Sequence, residues 1–154
     1  MNDVFCPRDM NWKYTRKTLP TCTLVVDQRR IVDTTAESGW LLSIHLKSNS
    51  NLVRLRVLAS DSSGTGNLDL NTTALELFNN GMLTPPGGIG FYTPKYDTVN
   101  SIYSIEFRPA WPALPYHKGL TVTVINEDTS SISITEVDMI RLQLISTTEV
   151  AKNG

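Results

Sequence analysis

Cysteine and histidine are scarce, two of each in 154 residues. Cys6 and Cys22 are too few for a disulfide framework or a cysteine-based zinc site; two free thiols are expected in a reducing compartment, and one loop-closing bond outside it. His45 and His117 cannot supply the several imidazoles of a histidine-rich metal centre, and no bound metal or cofactor is expected. An excess of one charge is also missing. Lys and Arg number 14 against 15 Asp and Glu, a net charge of −1, which argues against a dedicated nucleic-acid binder with a strongly basic face. No stretch approaches the ~18–20 apolar residues of a membrane span. Residues 1–8 contain no apolar run of the kind a secretory signal needs.

What is present fits a folded domain. The hydrophobic fraction is 40%, and a chain of roughly 150 residues buries about two-thirds of its unfolded surface around one core. Val53, Leu55, Val57 and Ala59 alternate with Arg54, Arg56 and Leu58, the period of two of a strand with one buried face. Leu120, Val122 and Val124 alternate with Thr121 and Thr123. The polar turn 126–131 then leads into Ile132 and Ile134, a candidate hairpin. The last run sets Ile140, Leu142 and Leu144 on one face and Arg141 and Gln143 on the other. A change of phase near 136–139 predicts a bulge within a long strand. Further strands are expected at 24–26, at 40–46 and around Tyr103, Ile105 and Phe107. Thr73-Ala74-Leu75-Glu76 has the capping-box pattern, and Asn80-Gly81 supplies a stop, so one short helix is expected from Ala74.

Seven or eight short strands with Gly-, Pro- and Asn-rich connections predict an all-β, single-domain antiparallel sandwich, most readily a jelly roll, with one short helix. Its expected divisions are an extended N-terminal segment at 1–23, the sandwich at 24–145 and a C-terminal tail at 146–154. Residues 1–30 hold six cations and three acids, and the remaining residues carry an acidic excess of four. The N-terminal segment 1–23 is expected to drape over a neighbouring subunit or fold back on its own sandwich.

Catalytic patterns are thin. Ser43 lies two residues from His45, without the strained elbow of a hydrolase nucleophile, and no Gly-x-Ser-x-Gly or phosphate-cradling loop is present. Glu127-Asp128 falls in a turn, and Glu136 shares a strand face with Asp138. The oxygen-rich stretch 61–69 lacks the closing Glu of an EF-hand. The aromatics are more informative. Phe91, Tyr92 and Tyr96 flank Pro94, and Trp111 lies between Pro109 and Pro112 with Tyr116 beyond. Rings held by prolines stack on sugars, anchor a protein partner or plug the end of a sandwich.

The stretch 107–126, a Pro-rich entry into Gly119-Leu120-Thr121-Val122-Thr123-Val124 and a polar hairpin, resembles the penultimate-strand region of small sandwich proteins of virus particles. With the long last strand through Ile145, the chain is similar to single jelly-roll capsid and other virion structural proteins. The likeness lies in the last third of the chain and, elsewhere, in strand count. It implies a non-enzymatic structural subunit of a symmetric assembly, located in the virion after assembly in the host cytoplasm. Its partners would be copies of itself or other virion proteins. No catalytic residue carries over, and the missing Arg-rich arm leaves nucleic-acid contact open. Trp12, Tyr14, Trp111 and Tyr116 are the expected interface residues. The alternative is a carbohydrate- or receptor-binding module, as on a phage tail or spike, with Phe91, Tyr92, Tyr96 and Trp111 as a stacking platform.

Overall fold

A computed structural model describes residues 11–60, 67–85, 90–109 and 113–145. Its elements, in chain order, are β1 (Asn11–Leu19), β2 (Cys22–Leu24), β3 (Arg29–Thr35), β4 (Gly39–Ser48), β5 (Val53–Ser60), β6 (Asn67–Thr73), α1 (Ala74–Asn79), β7 (Phe91–Tyr92), β8 (Tyr96–Asp97), β9 (Ile102–Phe107), β10 (Leu114–Tyr116), β11 (Leu120–Asn126) and β12 (Ile132–Ile145). They build two antiparallel sheets. One runs β1-β12-β4-β9-β7, with β2 beside β12, β10 beside β4 and β8 beside β9; the other runs β3-β11-β5-β6. The all-β sandwich with one short helix is therefore what the chain forms.

Alternation decides which residues face inward. Val53, Leu55, Val57 and Ala59 of β5 are buried, as are Leu120, Val122 and Val124 of β11. They meet Leu41, Ile44 and Leu46 of β4, Ile105 and Phe107 of β9, and Ile134, Val137 and Met139 of β12. Each fully buried side chain of this kind contributes roughly 1.5–3 kcal/mol of transfer free energy. The helix starts as its sequence demands. Thr73 Oγ1 accepts from the Glu76 amide, the Glu76 carboxylate accepts from the Thr73 amide, and Gly81 follows the C-cap Asn80 with φ of 71°.

The long last strand is irregular in two places, with register shifts against β4 between Ile134 and Glu136 and between Ile140 and Arg141. The shifts have a consequence that the alternation alone did not reveal. Arg141 is on the inner face and 4% exposed, while Ile140, Leu142 and Leu144 turn outward. A third shift, between Val122 and Thr123 in the pairing of β11 with β3, accompanies the inward turn of Asp33. Arg141 Nε donates to Asp33 Oδ2 at 2.7 Å across the space between the sheets, and its Nη1 reaches Gln143 Oε1 at 2.7 Å. Two bulges thus re-aim one residue from each sheet into a buried ion pair.

The described part of the N-terminal segment folds back on its own sandwich. Residues 11–19, part of the expected extended segment 1–23, pair along their whole length with β12 of the same chain. They look irregular because the strand sits at an edge, where inward positions are occupied by Lys13, Thr15 and Lys17 instead of apolar side chains. Residues 1–10 and 146–154 lie outside the described residues.

Candidate interaction surfaces

The outer face of the larger sheet is the first surface. Cross-strand partners in an antiparallel sheet share a face, and the register sets Trp12 opposite Leu144, Tyr14 opposite Leu142, Leu142 opposite Trp40, and Arg16 opposite Ile140. Inward neighbours Leu41, Met139 and Arg141 are buried, so these residues point away from the core. Trp12, Trp40, Ile140, Leu142 and Leu144 are half-buried, and Tyr14 is 59% exposed. The two indoles lie 6.5 Å apart, tilted by 54°. The result is an apolar band across β1, β12 and β4. Trp12 and Tyr14 were legible as candidates; Trp40, Leu142 and Leu144 were not, because only the strand register brings them beside the first two.

At the same end of the sandwich lies a cavity of about 640 Å³ lined by both tryptophans, Leu144, Leu114, Tyr116, His117 and groups of the β5 and β6 ends, among them Ser60 and Asn67. Gly39 is required there: a Cβ at that position would overlap the Leu142 carbonyl oxygen and crowd the Tyr116 hydroxyl. His117 Nδ1 sits 3.4 Å from Ser38 Oγ at the rim. Tyr116 itself, expected at an interface, is 3% exposed. Its hydroxyl lies 3.5 Å from Arg141 Nη1, and burial is the main cause pushing its pKa up. It is a core residue facing the buried ion pair, with no exposed face for a partner. Trp111 lies outside the described residues.

The expected stacking platform comes apart in the structure. Tyr92 is buried. Phe91 packs on Phe107 at 4.8 Å, and Tyr96 lies flat on Phe78 at 4.1 Å and 10° while meeting Tyr103 edge-on. Tyr96 Oη also accepts a hydrogen bond from Asn51 Nδ2 at 2.7 Å. These rings close one end of the core and seat the helix against the sheets.

The polar candidates are held by structural contacts. On the outer face of the larger sheet, His45 Nδ1 donates to Glu106 Oε1, and Nε2 lies 3.6 Å from Glu136 Oε2. The hydrogen bond to Glu106 chiefly raises the His45 pKa above its ordinary value, against the opposing effect of burial. Asp138, next along this face, is held by Arg16 through two hydrogen bonds at 2.7 and 2.9 Å, which lower its pKa. On the other sheet, Arg54 binds Glu127 and Glu76, and Arg56 binds Asp69 in a fork. Asp128 accepts from Ser50 at 2.6 Å. Cys22 is a half-buried free thiol, and Cys6 and residues 61–66 of the oxygen-rich loop lie outside the described residues. Among the described residues no group of three or more His, Cys, Asp or Glu converges on a metal position, and no helix is long and apolar enough to cross a membrane. Searches for matching family models and for similar curated proteins find no match to this sequence.

Proposed function

We propose that this protein is a non-enzymatic structural subunit of a symmetric assembly, with a virus particle as its setting and copies of itself or other virion proteins as its partners. The observation that carries the reading is the apolar outer band of Trp12, Tyr14, Trp40, Ile140, Leu142 and Leu144. A sheet face that turns aromatic and branched side chains outward is suited to covering by another protein surface. Strand order supports the finer fold reading beneath it, a jelly roll. Taking the eight principal strands in chain order (β1, β3, β4, β5, β6, β9, β11, β12), first pairs with last, second with seventh, third with sixth and fourth with fifth. That is one long antiparallel ribbon rolled into two sheets.

Size-exclusion chromatography with light scattering tests the proposal. The wild-type chain is expected to elute as a closed oligomer, and Tyr14→Glu/Leu142→Glu, which places charges in the band without touching the core, as a folded single chain. A wild-type protein that stays a monomer, or a variant that assembles unchanged, counts against it. The cavity beside Trp12 and Trp40 favours a second reading, a carbohydrate- or receptor-binding module. Glycan binding that Trp40→Ala abolishes would select that reading.

A further inference from the structure

A second surface lies on a different side of the molecule. β1 is an edge strand of nine residues, paired on one side with β12 and on the other with nothing among the described residues. Among the described residues its free side therefore presents a row of unpaired backbone N–H and C=O groups. Lys13 and Lys17 turn toward the neighbouring edge of the other sheet, where β3 approaches β1 and carries Arg30, opposite the inward Val124, on its inner side and Arg29, opposite Ile125, on its outer side. All four cations are exposed, and none has an ion-pair partner among the described residues. Between the two lysines the Thr15 hydroxyl is buried without a hydrogen-bond partner. The open flank of the sandwich thus combines a long free edge with unneutralised positive charge.

These features select an occupant. A second copy fits poorly: two β1 edges meeting antiparallel about Thr15 would set Lys13 against the other copy's Lys17, and like charges directly opposite destabilise a strand pair. A nucleic acid would satisfy the cations, but its phosphates have no donor to offer the edge carbonyls. An extended polypeptide satisfies both, since its backbone completes the ladder while carboxylates at alternate positions fall on one face. We propose that the β1 edge takes up an extended acidic segment of another polypeptide as an added strand, with its carboxylates facing Lys13, Lys17 and Arg30. This contact uses the edge and inner side of β1, whereas the apolar band uses its outer face, and it does not depend on the proposed assembly.

The test uses the full-length protein and four fluorescent probes: a peptide of the length of β1 alternating Glu with Val or Thr, its Gln counterpart, the Glu peptide N-methylated at alternate amides, and oligothymidylate of about twenty nucleotides. The Glu peptide is expected to bind roughly tenfold or more tightly than both the Gln and the N-methylated forms. Binding should weaken with salt and protect β1 amides from hydrogen exchange. It should be lost in Lys13→Glu/Lys17→Glu and weakened in Arg30→Gln, the second variant serving if the first disturbs folding. Equal binding of the N-methylated peptide would overturn the proposal, leaving only ionic adhesion. So would preferential binding of the oligonucleotide, which would make the flank a phosphate-binding surface. Failure of every probe would also overturn it, leaving the cations as guards against edge pairing.

Discussion

Asp33 and Arg141 are 8% and 4% exposed and face each other between two sheets of otherwise apolar residues. Burial acts most strongly on the guanidinium and favours its neutral form. The hydrogen bond to Asp33, with Tyr116 and the Asp33 charge, outweighs that effect and leaves the Arg141 pKa above its ordinary value. A pair of this kind adds little net stability over an apolar pair, whereas removing one partner strands the other charge. Asp33→Ala is therefore expected to cost about 3–5 kcal/mol in urea unfolding, and Asp33→Leu/Arg141→Met far less. A single-variant loss no larger than that of the double variant would contradict this reading of the pair. His45 makes a second residue-scale prediction. Its pKa is raised by the Glu106 hydrogen bond, with Glu136 and Asp138 adding to the effect and Arg16 and Arg108 standing on the acids. A group whose pKa rises on folding contributes stability that is complete below its unfolded value of about 6.5 and is lost as pH climbs through the folded value. His45→Gln should thus lower the thermal midpoint more at about pH 6 than at about pH 9. A midpoint difference that is constant across that range would refute it.

Among the elements, the helix and the strands around it were legible in the sequence because their signals are local. The capping box at Thr73 and Glu76 needs only four residues, and the structure forms it as read. Glu76 has a second task, since Arg54 Nη2 binds it at 2.7 Å while Arg54 Nε holds Glu127 at 2.8 Å, tying β5 to the helix and to the β11–β12 turn. The Arg54 contact is the main cause lowering the Glu76 pKa. Thr73→Ala should cost about 1 kcal/mol, and Glu76→Gln, which keeps a capping side chain and loses the charge, should cost less. Unfolding curves of the two variants check the order, and a larger loss for Glu76→Gln would show that the ion pair outranks the cap. β12 was harder to read. Its two faces were correctly separated, but an outward Ile140-Leu142-Leu144 and an inward Arg141 reverse the usual sense of inside and outside. The bulge between Ile134 and Glu136, which moves the inward positions from Ile132 and Ile134 to Val137, Met139 and Arg141, determines that choice. β1 escaped notice for a related reason: as an edge strand it has no inner apolar row to announce it.

For the whole molecule, the packing of two antiparallel sheets leaves two surfaces with different character. One is the apolar band over β12, and the other is the cationic flank along β1 and β3. The band could not be read from the chain alone, because Trp12, Trp40 and Leu142 are far apart in sequence and meet only through register. The aromatic cluster Phe91-Tyr92-Tyr96 could be found by composition, yet its rings turned out to be spent on Phe78, Tyr103 and Phe107. Assembly through the band is the central claim, and an image of the protein at working concentration tests it most directly. Electron microscopy of the purified chain should show closed, symmetric particles in which the band around Tyr14 and Leu142 is covered at every subunit contact. A field of isolated molecules of 17.1 kDa, or particles whose contacts leave that band bare, would contradict it.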